Sequence, residues 1–230
     1  MIPLRDSTPH SRFPVVTVGL IALNAVVFIL QLAGTGPDPG RAFLSLGLVP
    51  ARFTGHDPFA GTGLPSPWLG LAAGMFLHGG FMHLAGNMWF LWLFGDNVED
   101  RMGRGRFLAF YFLCGLVASA AHVALNPSSK IPTIGASGAI AGVMGAYLIL
   151  YPRARIKTLI WYFAIVRFVD IPAILFLGLW FLLQLFSGVV FGFSADGDVG
   201  GIAFWAHVGG FLAGMALLRA FVHGRLRPPA

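Results

Sequence analysis

The chain has 230 residues, of which 57% are hydrophobic and only 10% charged, and its formal net charge is +6. So little charge excludes an ordinary soluble domain or a disordered chain and places most of the residues in a lipid bilayer. The positive balance requires no nucleic-acid partner, because membrane topology and attraction to anionic lipid account for it.

Apolar runs near the length that crosses a bilayer recur along the chain. They are Val15–Leu32, Trp68–Phe94, Phe107–Leu125, Ile134–Tyr151, Ile171–Val190 and Ile202–Leu218. This pattern predicts an all-α, polytopic membrane protein with six transmembrane helices and no separate soluble domain. A cytoplasmic segment over 1–13 precedes the membrane domain at 14–222, and a short basic tail follows at 223–230. The first run is longer than a signal core, and Gln31-Leu32-Ala33-Gly34 is a poor cleavage site, so it reads as a retained helix.

Between the first two spans, residues 33–66 form a long loop rich in Gly and Pro. Its short apolar stretch Phe43–Leu48 suits an element lying in the interface. A short charged loop is expected over 95–106, and an outer turn with two prolines over 126–133. Beyond the basic stretch Arg153–Lys157, the aromatic segment Thr158–Val169 reads as interfacial, with the fifth span starting near Pro172. A Gly- and Asp-containing outer loop follows at 194–201.

If the N-terminus is cytoplasmic, twelve of the fifteen Lys and Arg residues fall on the cytoplasmic side. Only Arg41, Arg52 and Lys130 fall on the other, a strong positive-inside bias that puts both termini in the cytoplasm. The single cysteine, Cys114, lies within the third span. It forms no intrachain disulfide and reads as packing.

Polar groups at membrane depth are costly and mark function or helix pairing. Among Asn24, His78, His83, Asn87, Ser119, His122, Ser137, Gln184 and His207, two settings stand apart. Gly135-Ala136-Ser137-Gly138 opens the fourth span, where Gly138, Ala141, Gly142 and Gly145 make a small-residue face. In the sixth span, Gly210 and Gly214 lie on the face of His207. Two such helices can pack closely enough to bring Ser137 and His207 together. A serine hydroxyl becomes a nucleophile when a neighbouring base takes its proton, and histidine suits that task. No acidic residue is near either in sequence, which favours a dyad over a triad with Asp or Glu. His83 and Asn87, four apart on one helix face, are candidate donors to an oxyanion, as is the Ser137 amide; the lesser reading of the two side chains is that they glue helices together. His78, His122 and Asn24 read as structural, and Gln184 as an interhelical contact with no tie to catalysis.

The Gly-Ala-Ser-Gly block, the later Ala-His-x-x-Gly-x-x-x-Gly helix and the earlier His-x-x-x-Asn helix resemble the rhomboid intramembrane proteases. Phe76–Asn87, followed by Gly95-Asp96-Asn97-Val98-Glu99-Asp100-Arg101-Met102-Gly103, is similar to the bacterial members, and the likeness runs from the first span to the sixth. It implies six helices around a cavity open to the outer side, in a bacterial plasma membrane. Ser137 would be nucleophile, His207 base, and His83 and Asn87 oxyanion donors, with Glu99 and Arg101 structural. No metal or cofactor is implied. The implied activity is that of a serine endopeptidase cutting transmembrane protein substrates that enter laterally past the second or fifth helix, near the outer face and after a small residue. Oligomeric state is left open. Ala141 stands where several members carry an aromatic ring that stacks on the catalytic histidine, which leaves the orientation of His207 open.

Rival classes fit less well. No histidine is followed by Glu, as a zinc-binding His-Glu-x-x-His would need. Asp96 has no intramembrane acidic partner for an aspartyl protease. A transporter would show paired charges or internal repeats at the midplane. A catalytically silent client-binding relative would lack Ser137 or His207.

Overall fold

The computed structural model describes residues 1–9, 11–34, 39–54, 57–163, 165–191 and 203–222. The expected outer loop at 194–201 and the basic tail lie outside them. In chain order the elements are strand β1 (Ile2–Asp6), α1 (Val15–Gly34), α2 (Pro39–Leu46), α3 (Pro67–Ala73), α4 (Phe81–Met102) and α5 (Arg104–Leu125). Then follow α6 (Ser137–Leu150), strands β2 (Arg155–Tyr162) and β3 (Ile165–Pro172), α7 (Ala173–Phe191) and α8 (Phe204–Phe221).

The fold is a helical membrane bundle centred on α6. Every residue of α6 from Gly138 to Tyr147 is buried, enclosed by α4, α5 and α8. Phe94, Phe107, Phe110, Tyr111, Tyr147 and Phe211 fill the core around it. The apolar side chains of α1 and α7 instead point outward, with Ile29, Leu30, Leu175 and Phe186 all exposed. In water such surface would be a liability, whereas in lipid it is the solvent-facing side. Among the described residues four helices, α1, α5, α7 and α8, are long and apolar enough to cross a bilayer. The pair α3 and α4 passes that test together, with a bend of 76° between them.

The structure departs from the sequence reading in four places. The second span is not one helix from Trp68 to Phe94: it breaks after Phe76 and restarts at Phe81. The break is clamped by Gln31 of α1, whose Nε2 donates to the His78 carbonyl at 2.6 Å while its Oε1 accepts from the His78 N–H at 3.1 Å. Next, the charged loop expected at 95–106 is mostly helix, because α4 runs on to Met102 and Gly103 alone joins it to α5. Its charges are spent inside the fold. Glu99 is buried and accepts the backbone N–H of Val16 at 2.9 Å and of Thr17 at 2.7 Å, so it caps the first turn of α1.

The fourth span is also shorter than expected. Helix α6 has 14 residues rather than running from Ile134 to Tyr151. At 1.5 Å per residue it rises only ~21 Å, against a hydrocarbon core of ~30 Å. Finally, the segment read as interfacial at 158–169 is an antiparallel β-hairpin, with Trp161 opposite Val166 and Lys157 opposite Asp170. Strand β1 completes a three-stranded sheet through Ile2 opposite Leu159. This small sheet is an addition to a mostly helical fold. The fifth long helix begins at Ala173, next to the expected Pro172.

Candidate functional site

Ser137 owes its position to the loop in front of it. Leu48 and Thr133 exchange two backbone hydrogen bonds of 2.9 and 2.7 Å, and the Gly135 N–H donates to Gly74 O at 2.8 Å. Gly135 sits at φ +113°, a backbone conformation that only glycine adopts without strain. The chain then turns through Ala136 into α6, so Ser137 occupies the first helical position. Its N–H is one of the amides that a helix leaves without an intrahelical partner.

The α6–α8 seam brings His207 to this serine. A Cβ on Gly210 would lie 2.0 Å from Gly138 O, and one on Gly214 would lie 1.9 Å from Gly142 O. Nothing larger than hydrogen fits at either position. On the other side of α6, a Cβ on Gly142 would meet Cys114 Cβ at 2.4 Å, which assigns the buried cysteine to packing. Across this contact Ser137 Oγ and His207 Nε2 stand 2.8 Å apart.

His207 is held from a third helix. Its Nδ1 lies 2.8 Å from Gln184 Oε1, and the Trp180 ring lies 5.8 Å from the imidazole centroid at an interplanar angle of 40°. Both residues belong to α7, four apart and hence on one face. Ala141 supplies no ring from α6, and the aromatic neighbour of His207 is Trp180 of α7. In sequence Gln184 reads as an interhelical contact with no tie to catalysis. Its only signal was an amide alone in an otherwise apolar span, and nothing in the sequence said which helix that amide faced.

His83 and Asn87 converge on the same loop from α4. A Cβ on Gly135 would lie 2.8 Å from His83 Nε2 and 3.4 Å from Asn87 Nδ2. The Gly79 N–H donates to His83 Nδ1 at 3.3 Å. That makes Nδ1 the acceptor, so in the neutral ring Nε2 carries the proton and presents a donor. Asn87 Nδ2 is buried with no hydrogen-bond partner among the described residues. A buried amide of this kind is costly unless something accepts from it. Beside Ser137 is a cavity of about 30 Å³, lined by small residues including Gly74, Gly115, Ala118, Gly138 and Ala206.

The other polar residues singled out from the sequence bond locally or border the site. His78 Nδ1 pairs with Phe76 O at 3.2 Å and its ring packs on His83. Asn24 donates to Leu20 O of its own helix at 2.8 Å. His122 contacts Asn126 at the end of α5, and Ser119 lines the small cavity.

Comparison with known proteins follows the same lines. Residues 65–224 match the Rhomboid family by its rhomboid domain. The rhomboid protease GluP of Bacillus subtilis (strain 168) is 34% identical over 135 residues, 59% of this chain and 24% of GluP. The mitochondrial presenilin-associated rhomboid-like protein of Mus musculus is 31% identical over 140 residues, 60% of this chain and 33% of the mouse protein. The mitochondrial Rhomboid protein 1 of Saccharomyces cerevisiae is 33% identical over 85 residues, 35% of this chain and 25% of the yeast protein. The chain thus spans about a quarter to a third of the length of these relatives.

Proposed function

The chain belongs to the rhomboid family, and on that premise we propose that it is an intramembrane serine endopeptidase acting through a Ser137–His207 dyad. The observation that carries this reading is the 2.8 Å contact between Ser137 Oγ and His207 Nε2. Ser137 Oγ attacks the carbonyl carbon of the scissile peptide bond as His207 Nε2 takes its proton. The tetrahedral intermediate collapses when the imidazolium protonates the leaving amine, which leaves an acyl group on Ser137. Water, deprotonated by the same nitrogen, then releases the new carboxylate and restores the serine.

His83 Nε2–H, Asn87 Nδ2 and the Ser137 amide are the donors for the oxyanion. The unpartnered Asn87 amide supports this role, since it has a hydrogen bond to give and nothing to give it to until charge develops beside Gly135. The substrates are transmembrane proteins cut in or near a helix. The 30 Å³ cavity beside Ser137 suits a small side chain next to the cut. We place both termini in the cytoplasm on the distribution of Lys and Arg, and the protein in a bacterial plasma membrane on its likeness to bacterial members of the family.

The test is labelling of the purified protein by a fluorophosphonate probe, together with cleavage of a model transmembrane substrate. Wild type is expected to label and cleave, and Ser137→Ala and His207→Ala to do neither. Folded wild-type protein that does neither would sink the reading.

A further inference from the structure

Catalysis by a Ser–His pair depends on which imidazole nitrogen carries the proton. If Nε2 holds it, that nitrogen has no lone pair for the serine hydroxyl and the pair is inert as a base. In this structure the other nitrogen, Nδ1, faces Gln184 Oε1 at 2.8 Å. An amide oxygen has no proton to give, so a hydrogen bond there requires the proton on Nδ1. Nε2 is then left free to accept from Ser137 Oγ at 2.8 Å. No carboxylate bonds to His207 among the described residues, and the titratable side chains that face it are His83 on α4 and His122 on α5.

We propose that Gln184 is a positioning residue that holds His207 in its reactive tautomer, so that the dyad works as a Ser–His–Gln array with a neutral third member. This rests on the protease reading above and deepens it. Trp180, one turn earlier on α7, packs beside the imidazole and restrains the tilt of the ring. An amide suits this place better than an acid. A carboxylate at membrane depth would be a buried charge with no partner in the resting site, whereas an amide oxygen orients the ring and faces the imidazolium with a dipole alone. The arrangement also ties the tautomer to the seating of α7, a largely lipid-facing helix whose best-packed neighbour is α8.

The experiment uses full-length protein and four measurements on wild type, Gln184→Leu and Gln184→Glu: kcat, KM, the pH profile of kcat/KM, and the ¹⁵N resonances of His207. In Gln184→Leu, which keeps the size and removes the acceptor, kcat is expected to fall on the order of 10²-fold, with KM little changed. Gln184→Glu restores an acceptor and favours the imidazolium, so activity returns and the acidic limb moves to higher pH. A residue at position 184 that did not face Nδ1 would not move that limb, and the tautomer spectra separate positioning from packing. In wild type the ¹⁵N spectrum should show Nδ1 protonated, and in Gln184→Leu a mixture of tautomers. Unchanged kcat in Gln184→Leu, an unmoved limb in Gln184→Glu, or Nε2 protonated in wild type would each overturn the proposal. Should Gln184→Leu fail to fold, the wild-type ¹⁵N spectrum decides, with Nδ1 protonated supporting the proposal and Nε2 protonated overturning it. If wild type shows no proteolysis at all, the protease reading falls by itself, and the tautomer spectra still judge Gln184.

Discussion

At the scale of single residues, the site contrasts donors that are already engaged with donors held in reserve. His83 accepts from Gly79 on one nitrogen and turns the other toward Gly135, while Asn87 keeps a buried N–H without a partner. On the proposed oxyanion role these donors act in the transition state, so their loss should lower kcat more than it raises KM. We expect His83→Ala and Asn87→Ala each to reduce kcat by about 10²–10³-fold while the protein keeps its fold. Steady-state kinetics on a transmembrane substrate would read this, and unchanged turnover would reassign both side chains to helix packing. Much of this was legible in the sequence, because four-residue spacing puts His83 and Asn87 on one face. Which nitrogen of His83 points at the loop was not, since that depends on the extended stretch at Gly79–Gly80 folding back over the start of α4.

Elements meet here through missing side chains. Helices α6 and α8 touch backbone to backbone at Gly138 with Gly210 and at Gly142 with Gly214. An added methyl at Gly214 has no room, because the atom it would strike is a carbonyl oxygen of a buried helix. We expect Gly214→Ala to force the helices apart, lower thermal stability and abolish fluorophosphonate labelling; overpacking of this kind costs ~1–3 kcal/mol or more. Gly178 on α7 is the control, since a Cβ there meets nothing within 4 Å. Gly178→Ala should label like wild type and gain up to ~1 kcal/mol from helix propensity. A Gly214→Ala protein that labels at the wild-type rate would contradict the seam as the device that aligns Ser137 with His207. The small-residue stripes themselves were readable from the sequence. The extension of α4 to Met102 was not, because Asp96, Asn97 and Glu99 look like loop residues until partners for them are found on other elements. Glu99 finds its partners on the first turn of α1.

For the molecule as a whole, two consequences concern the end that carries the sheet. Asp6, at the end of β1, accepts hydrogen bonds from the Tyr147 hydroxyl on α6 and from Asn97 Nδ2, the latter at 3.0 Å. Burial raises the pKa of its carboxyl above the ordinary value, against the lowering effect of the bonds from Tyr147 and Thr8. A raised folded-state pKa means that the proton binds the folded form more tightly. The stability it contributes is therefore complete below the unfolded value and is lost as pH rises through the folded one. Melting curves in detergent from about pH 4 to about pH 7 should show a smaller decline for Asp6→Asn than for wild type. Equal slopes would mean that Asp6 does not titrate between the two states.

The second consequence is topological. Lys130 and Arg153 are both exposed, and the proposed topology puts them on opposite sides of the membrane. In intact bacterial cells an impermeant maleimide should label Lys130→Cys, and should reach Arg153→Cys only after lysis. The native Cys114 is buried and should stay silent in both. The reverse pattern would invert the orientation.

What the sequence determined by itself was whatever composition and local period encode. The lipid environment follows from apolar runs, the helical class from their lengths, and the serine, the histidine and their glycine stripes from spacing along single helices. Tertiary structure decided what depends on distant segments meeting. Strand β1 pairs with β2 across most of the chain, a contact that no local pattern announces, and so a segment read as interfacial became a hairpin. The 14-residue length of α6 was set by the loop that Leu48 and Gly74 tie down in front of it. The orientation of His207 was settled by an amide and a ring on α7. A side chain's face is written in its own helix, but its partner is chosen only when the helices pack.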